Sequence, residues 1–578
     1  MTTSVVQDWN LAPLDGLSQV NGRTDATLSQ ATIAQFLADT VQRYPDKLAV
    51  VFREQGVRWT WAQLQQQVDA LAAGLLALGL QAGDRVGIWA PNRVEWVVTQ
   101  FATARIGLVL VNINPAYRVS ELEYALQLAG CRALVTAEQL KSSQYLAMLQ
   151  RLAPELADCA PGALKAARLP MLQAIIRLGD AQTPGMLNYA QVLKQGRAAL
   201  DSAALDTLDA IGATLSCHDA INIQFTSGTT GNPKGATLTH HNVVNNARFV
   251  AQAMRFTETD VLCVPVPLYH CFGMVMSVLA CVSVGATMVF PGESFDPAAT
   301  LQAVSEERCT ALHGVPTMFI AELDHPNFAQ FDLSRLRTGI MAGSPCPIET
   351  MKRVVAQMNL SEITIAYGMT ETSPVSFQSS TTDPLERRVA TVGRIQPMLE
   401  AKVVNAEGQV VPMGEKGELL VRGYSVMQGY WGDAQRTQEA VQDGWMHTGD
   451  LATIDAEGYC NIVGRAKDML IRGGENVYPR EIEEFLFRHP QVQSVQVFGV
   501  PDAKYGEEIC AWIVPKPGQS VSEDEVRAFC RDQIAHYKVP RYIRIVQDMP
   551  MTITGKVQKF IMREQMMAEL QLQPAPTA

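Results

Sequence analysis

TSGTTGNPKG, Thr226 to Gly235, gathers three glycines, four hydroxyl side chains and one lysine into ten residues that carry no carboxylate. The commonest nucleotide loop, G-x-x-x-x-G-K-[ST], does not fit, because Pro233 precedes Lys234 and Gly235 follows it. The physical ingredients of anion binding are nevertheless present. Gly228, Gly231 and Gly235 let the backbone approach an anion, while Thr226, Ser227, Thr229 and Thr230 add hydroxyl donors beside Asn232. The preceding Ala220 to Phe225, AINIQF, reads as a short buried strand. The loop therefore leaves a strand end, where α/β sheets bind ligands, and a polyphosphate is a better occupant than water in a solvated turn.

Outward from the loop the text alternates between two periods. Toward the N-terminus WAQLQQQVDALAAGLLAL places Leu64, Val68, Leu71 and Leu75 at helical spacing, and DRVGIWA reads as a strand. RVEWVVTQFATARI, GLVLVNI, SELEYALQLAG and CRALVTA continue the helix–strand alternation. Beyond the loop the spacing predicts a helix after His240, a strand near Val261, a strand ATMVF, and a helix opened by Asp296 and Pro297 as cap and first-turn proline. Such alternation implies βα units and largely parallel sheets. Residues 140–215 lack clear motifs and read as a variable insertion. From about Gly408 the segments become β-rich with Gly-containing turns, and about 110 residues after Lys467 have their own alternation, long enough for a small domain.

The chain's 578 residues and net charge of −11 favour several domains and disfavour a general nucleic-acid or anionic-membrane surface. Eleven cysteines without a C-x-x-C pair disfavour a zinc ribbon. The odd count, and a start with no basic, apolar leader pattern, lead to an expectation of reduced thiols and a cytoplasmic location. Phe272 to Phe290 is long and uncharged, but Gly285 divides it into a buried helix and a core strand, so no transmembrane segment is expected; peripheral membrane contact stays open.

Further polar, Gly-bounded stretches recur in order: AGSPCP (342–347), YGMTETSP (367–374), GWMHTGDLATID (444–455), GRAKDMLIRGGENVYPREIEE (464–484) and PMTITGKVQK (550–559). With TSGTTGNPKG, this set resembles the adenylate-forming superfamily of acyl-CoA synthetases, luciferase and peptide-synthetase adenylation domains, from about residue 30 to 565. YRVSELEYAL and PDAKYGEEICAWI are most similar to the medium-chain fatty acyl-CoA synthetase branch. The resemblance implies an α/β fold in which residues 1–466 form a large N-terminal domain of βα-layered sheets with a β-rich subdomain. Residues 467–578 would form a small, mobile α+β domain hinged near Lys467.

It also implies a two-step reaction: a fatty carboxylate attacks the α-phosphorus of ATP, then the thiol of coenzyme A attacks the acyl carbon of the adenylate. The acid is already ionised at neutral pH, so the first step needs charge neutralisation and alignment rather than a general base. By resemblance, Thr226 to Gly235 would hold the β- and γ-phosphates. Tyr367 would stack beside adenine, with the backbone of Gly343, Ser344 and Pro345 against the base. Thr370 would touch the α-phosphate and Glu371 would help hold Mg²⁺. Asp450 would accept the ribose hydroxyls with Arg465 opposite, and Lys556 would reach the α-phosphate. Gly473 and Gly474 would let the pantetheine chain pass, and His270 would wall or gate the acyl pocket. Thr554 stands where the family often has Ser.

Leu268 to Ser277, which should border that pocket, carries no acid, and the nearest, Asp260 and Glu293, lie outside it. An apolar acyl group is thus preferred to an amino acid, whose ammonium would need a buried carboxylate. A carrier-protein acceptor in place of free coenzyme A, a long-chain, branched or aryl acid, and a catalytically silent binder remain as alternatives.

Overall fold

The computed structural model describes residues 11–226, 233–465, 468–472, 475–502, 504–531, 533–552 and 555–572, and element counts refer to these. Two large sheets dominate. One runs in the order Leu187–Asn188, Ala174–Arg177, Cys131–Thr136, Arg85–Trp89, Val109–Asn112, Ala220–Thr226, Lys234–Thr239 and Gly429–Tyr430. Its pairs are parallel as far as Ala220–Thr226 and antiparallel beyond. The second sheet has nine strands, with five parallel pairs linking Glu362–Gly368, Thr338–Ala342, Ala311–Gly314, Val261–Cys263, Thr287–Phe290 and Leu48–Phe52. Its parallel strands are largely buried on both faces, which is why they read as apolar runs.

Helix His240–Ala253 is buried around its circumference, as a helix enclosed between layers must be. Thr239 caps it, accepting from the Asn242 N–H, while the Asn242 side chain returns to the Thr239 N–H. The Phe272 to Phe290 stretch folds as expected into a buried helix and the strand Thr287–Phe290, with Gly285 left-handed between them. Its first part, Phe272–Leu279, is a π-helix, a wide turn often found beside functional sites. No described helix is long and apolar enough to cross a membrane.

Residues 140–215 are built into the large domain. Ala174–Arg177 extends the eight-stranded sheet, and helix Tyr189–Ala199 packs on Trp61–Ala77. The approach is close enough that a Cβ on Gly196 would lie 1.8 Å from the Ala70 carbonyl oxygen. The β-rich part also begins before Gly408. Leu399–Val404 pairs with Gly417–Gly423 on one side and, on the other, with Gln19–Asn21 from near the chain's start. Trp445–Ile454 follows in this antiparallel sheet, and Cys460–Arg465 lies along its far side.

A smaller C-terminal domain follows the large one. Leu470–Arg472 opens its five-stranded sheet, which is built around the long hairpin Val492–Asp502 and Gly506–Pro515. It has separate apolar clusters of its own, including Val495, Val497, Ile509 and Ile513. Its contacts with the large domain include the polar pairs Arg480 to the Ile462 carbonyl and Gln493 to Asp324, and Lys416 over the Tyr478 ring.

Candidate active site

The strand ends converge on one cleft. Thr226 ends Ala220–Thr226, and Lys234 starts the antiparallel return strand paired opposite it. Ser227, Gly228, Thr229, Thr230, Gly231 and Asn232, the loop between, lie outside the described residues, as do Lys467, Gly473, Gly474 and Thr554. Pro233 and Gly235 flank Lys234 at the described edge of the hairpin.

From the other large sheet, Thr338–Ala342 runs into Gly343, Ser344 and Pro345. Glu362–Gly368 carries Tyr367 near its end and leads to the short 3₁₀ turn Thr370–Thr372, which buries Thr370 and Glu371. Glu371 Oε1 accepts from the Tyr430 hydroxyl at 2.9 Å and from Thr226 Oγ1 at 3.2 Å. The Lys234 ammonium donates to the Tyr430 oxygen at 2.9 Å. Tyr430 therefore links the lysine of the glycine-rich stretch to the buried carboxylate. Burial, with Glu371 adjacent, pushes the Tyr430 phenol well above its ordinary range, so it stays protonated and donates.

On the cleft's opposite wall, Asp450 and Arg465 face each other across an antiparallel strand pair. The Arg465 guanidinium donates to Asp450 Oδ1 at 3.1 Å, and the Tyr367 hydroxyl to Oδ2 at 2.6 Å. Burial and the neighbouring Asp450 raise the Tyr367 phenol, again keeping it a donor.

Lys556 enters from the small domain. The turn carrying it closes where the Gly555 N–H meets the Thr552 carbonyl and the Lys556 N–H meets Thr552 Oγ1. Gly555 has φ +75°, and a Cβ there would sit 2.8 Å from Val315 Cγ2 and 2.9 Å from Thr317 Oγ1. That close approach requires glycine. The Lys556 ammonium is solvent-accessible yet walled by protein, as a side chain on a cleft floor is. Burial and Arg465 lower its pKa, while Glu371, Asp450 and Cys271 pull the other way. A cation poised between two carboxylates and beside a second cation suits an anionic guest that carries phosphate.

His270 borders the same space. Its Nδ1 accepts from the Phe272 N–H at 3.2 Å, and burial with Lys556 nearby pushes it down to about 3. The imidazole is therefore neutral at physiological pH and adds no charge beside Lys556. Behind it, Cys271 donates to Gln224 Oε1, while Asn112 and Gln224 donate to the Met274 sulfur. These amides are satisfied within the wall, so the wall presents no charge to a guest.

Some site residues carry no sequence signature. Tyr430, Val315 and Thr317 belong to no recognisable motif, and only the fold brings them to Glu371 and Gly555. His313 is a buried histidine between Ser277 and Met254, stacked with Phe256 and tilted against Phe272.

His313 and His240 are both fully buried, and burial pushes them down to about 3 and about 4. Unfolded, they would titrate near ~6.5, so the unfolded chain binds more protons between these values. Stability is then fully present above pH ~6.5 and falls with pH, by roughly 2 kcal/mol per histidine between pH 7 and 5. Thermal melts should show this loss, and a His240→Gln/His313→Gln variant should show a shallower pH slope. An unchanged slope in that variant would assign the acid sensitivity to other groups.

Known proteins resemble this chain along most of its length. The AMP-binding enzyme family model matches residues 37–431, and the AMP-binding enzyme C-terminal domain matches 481–556. The chain belongs to the AMP-binding enzyme family. It is 46% identical to the mouse mitochondrial medium-chain acyl-CoA ligase ACSF2, over 99% of this chain and 93% of that protein. The anthranilate CoA ligase AuaEII bound to anthranoyl-AMP superposes with TM-score 0.84 at 27% identity, covering 95% of this chain and 99% of that one. A Mycobacterium tuberculosis fatty acyl CoA synthetase superposes with TM-score 0.70 at 28% identity, covering 93% of this chain and 99% of the other.

Proposed function

We propose that the protein is an AMP-forming acid–thiol ligase that activates a medium-chain fatty acid and transfers it to coenzyme A. One observation carries the reading. Lys234, Glu371, Asp450, Arg465 and Lys556, scattered over more than half the chain, are linked by contact or by mutual electrostatic influence around one cleft. The relatives' names supply the acid and the thiol.

In the first step a carboxylate oxygen bonds to the α-phosphorus of ATP and the bond to pyrophosphate breaks. Thr226 to Gly235 cradle the departing phosphates, and Thr370 and Lys556 neutralise charge building at the α-phosphate. Asp450, held by Arg465 and Tyr367, accepts the ribose hydroxyls, and the Gly343 to Pro345 backbone flanks adenine. The buried Glu371 carboxylate beside the Thr226 hydroxyl is a set of hard oxygen donors that fits Mg²⁺, which would offset polyphosphate charge.

In the second step the coenzyme A thiol bonds to the acyl carbon, AMP leaves, and the thiol proton goes to solvent. Lys556 and the pantetheine chain need the same approach to the acyl phosphate, so the small domain, residues 467–578, turns about a hinge near Lys467 between the steps. Its apolar clusters, formed from its own residues and separate from those of the large domain, support such motion. His270 and the uncharged Leu268–Ser277 wall favour an apolar acyl chain, and the unreacted, mostly buried cysteines support a reducing compartment such as the cytosol. The mouse relative is named mitochondrial, so the name gives no support to the cytosol in particular.

The test is acid-dependent ATP–pyrophosphate exchange across acids from acetate to palmitate, with benzoate and amino acids, each followed by coenzyme A. Exchange should be greatest with medium-chain acids and convert to thioester on coenzyme A addition. Exchange with amino acids alone, or thioester formed only on a carrier protein, would overturn the reading.

A further inference from the structure

At the far end of the hairpin from the phosphate-binding stretch lie three side chains that the reaction does not use. Cys217 and His218 precede strand Ala220–Thr226, and His241 follows strand Lys234–Thr239, whose Thr239 pairs with Ala220. Each offers one ligand atom, and these atoms all lie within 4.8 Å of one another. The His218 and His241 rings are 4.8 Å apart. The seven-residue strand Ala220–Thr226 runs from the cluster to Thr226, roughly 20 Å at the usual rise. It is a separate place from the catalytic cleft.

We propose that Cys217, His218 and His241 form a Zn²⁺ site that ties together the two ends of the hairpin carrying Thr226 and Lys234. One thiolate and two imidazoles are a donor set suited to zinc, which accepts three protein ligands plus a water. Zinc bonds of ~2.0–2.3 Å in a tetrahedron place ligand atoms about 3.5 Å apart, so the cluster must close by about 1 Å. His218 is exposed and can make that movement, and it gives the ion a path from solvent.

The surroundings fit a coordinated state. Cys217 is buried and now donates to Gln30 Oε1 at 3.0 Å. On binding zinc the thiol proton goes to solvent, and the Gln30 amide, turned over, donates an N–H to the thiolate. Asn245 donates to the Ser29 carbonyl at 3.0 Å and to the His241 carbonyl at 2.9 Å, and so ties the helical turn that carries His241 to residues 29–30. The bound ion would thus join residues 29–30, the strand entering the phosphate-binding stretch and the helix leaving it.

The test uses the full-length protein, stripped with a chelator and kept reduced. Co²⁺ should bind once, with a thiolate-to-cobalt charge-transfer band and tetrahedral visible bands, both displaced by Zn²⁺. Cys217→Ser should lose the charge-transfer band, and His218→Ala, at an exposed position, should weaken binding at least tenfold while leaving pyrophosphate exchange unchanged. Zn²⁺ should raise the melting temperature by several degrees in the wild type and not in His218→Ala, since a ligand that binds only the folded state stabilises it. Cobalt binding without a thiolate band, or with equal affinity in His218→Ala, would overturn the proposal. So would an equal thermal shift in both proteins, which would place the ion elsewhere.

Discussion

Lys556→Ala should lose most acyl-adenylate formation while largely keeping thioester formation from supplied acyl-adenylate. Removing a preorganised charge from a developing phosphate charge typically costs ~3–4 kcal/mol, a fall of about 10²–10³ in the first half-reaction. The arrangement around Lys556 explains why no neighbour substitutes for it. Lys234 is bound to the Tyr430 oxygen and Arg465 to Asp450, so each is already committed to another anion or acceptor. Lys556 is also the charge delivered by the small domain, on a turn seated against Val315 and Thr317. A domain that turns carries this charge away and leaves the other two behind. The two half-reactions should therefore respond differently to its loss. Pyrophosphate exchange and single-turnover thioester formation, measured on the same variant, separate the cases. An equal loss in both would mean that Lys556 supports the cleft as a whole and that no domain rotation divides the steps.

What could be read in the sequence was what depends on neighbours along the chain. The glycine-rich stretch, the strand before it, the Asp296–Pro297 helix start and the Gly285 break are local signals, and the alternating periods gave the layered α/β architecture. Asp450 and Arg465 sit in recognisable motifs, yet their pairing is a matter of strand register between Trp445–Ile454 and Cys460–Arg465, which no local pattern states. Residues 140–215 read as an insertion for the same reason. Ala174–Arg177 is only four residues long, and its place on the sheet is fixed by pairing with Cys131–Thr136 some forty positions earlier. Gln19–Asn21 is likewise a strand only because Leu399–Val404 is beside it. Tyr430 lies in a two-residue strand whose partner is Lys234–Thr239. A tyrosine in YWGD announces nothing until that pairing brings its hydroxyl to Glu371.

That hydroxyl makes Glu371→Gln the second substitution with a large expected effect. The amide keeps the shape of the side chain and an oxygen able to accept from Tyr430 and Thr226, so the cleft should fold as before. What disappears is the charge. A neutral amide is a poorer ligand for a hard cation than a carboxylate, and the Lys234–Tyr430 pair loses the anion at its end. Pyrophosphate exchange should fall by about a hundredfold, in the range of other electrostatic groups in phosphoryl chemistry, with the Mg²⁺ concentration for half-maximal rate moved upward. Tyr430→Phe separates the two contributions. It cuts the link to Lys234 but leaves the carboxylate charged, so it should cost about tenfold, the low end of the ~1.5–3 kcal/mol of one hydrogen bond to a charged group, with little change in Mg²⁺ dependence. If Glu371→Gln instead kept the wild-type rate at saturating Mg²⁺ and lost only thermal stability, the carboxylate would be a structural acceptor for Tyr430 and Thr226. If Tyr430→Phe matched Glu371→Gln in both rate and Mg²⁺ dependence, the two residues would act as one unit, with the carboxylate working through the tyrosine on Lys234 rather than on the metal.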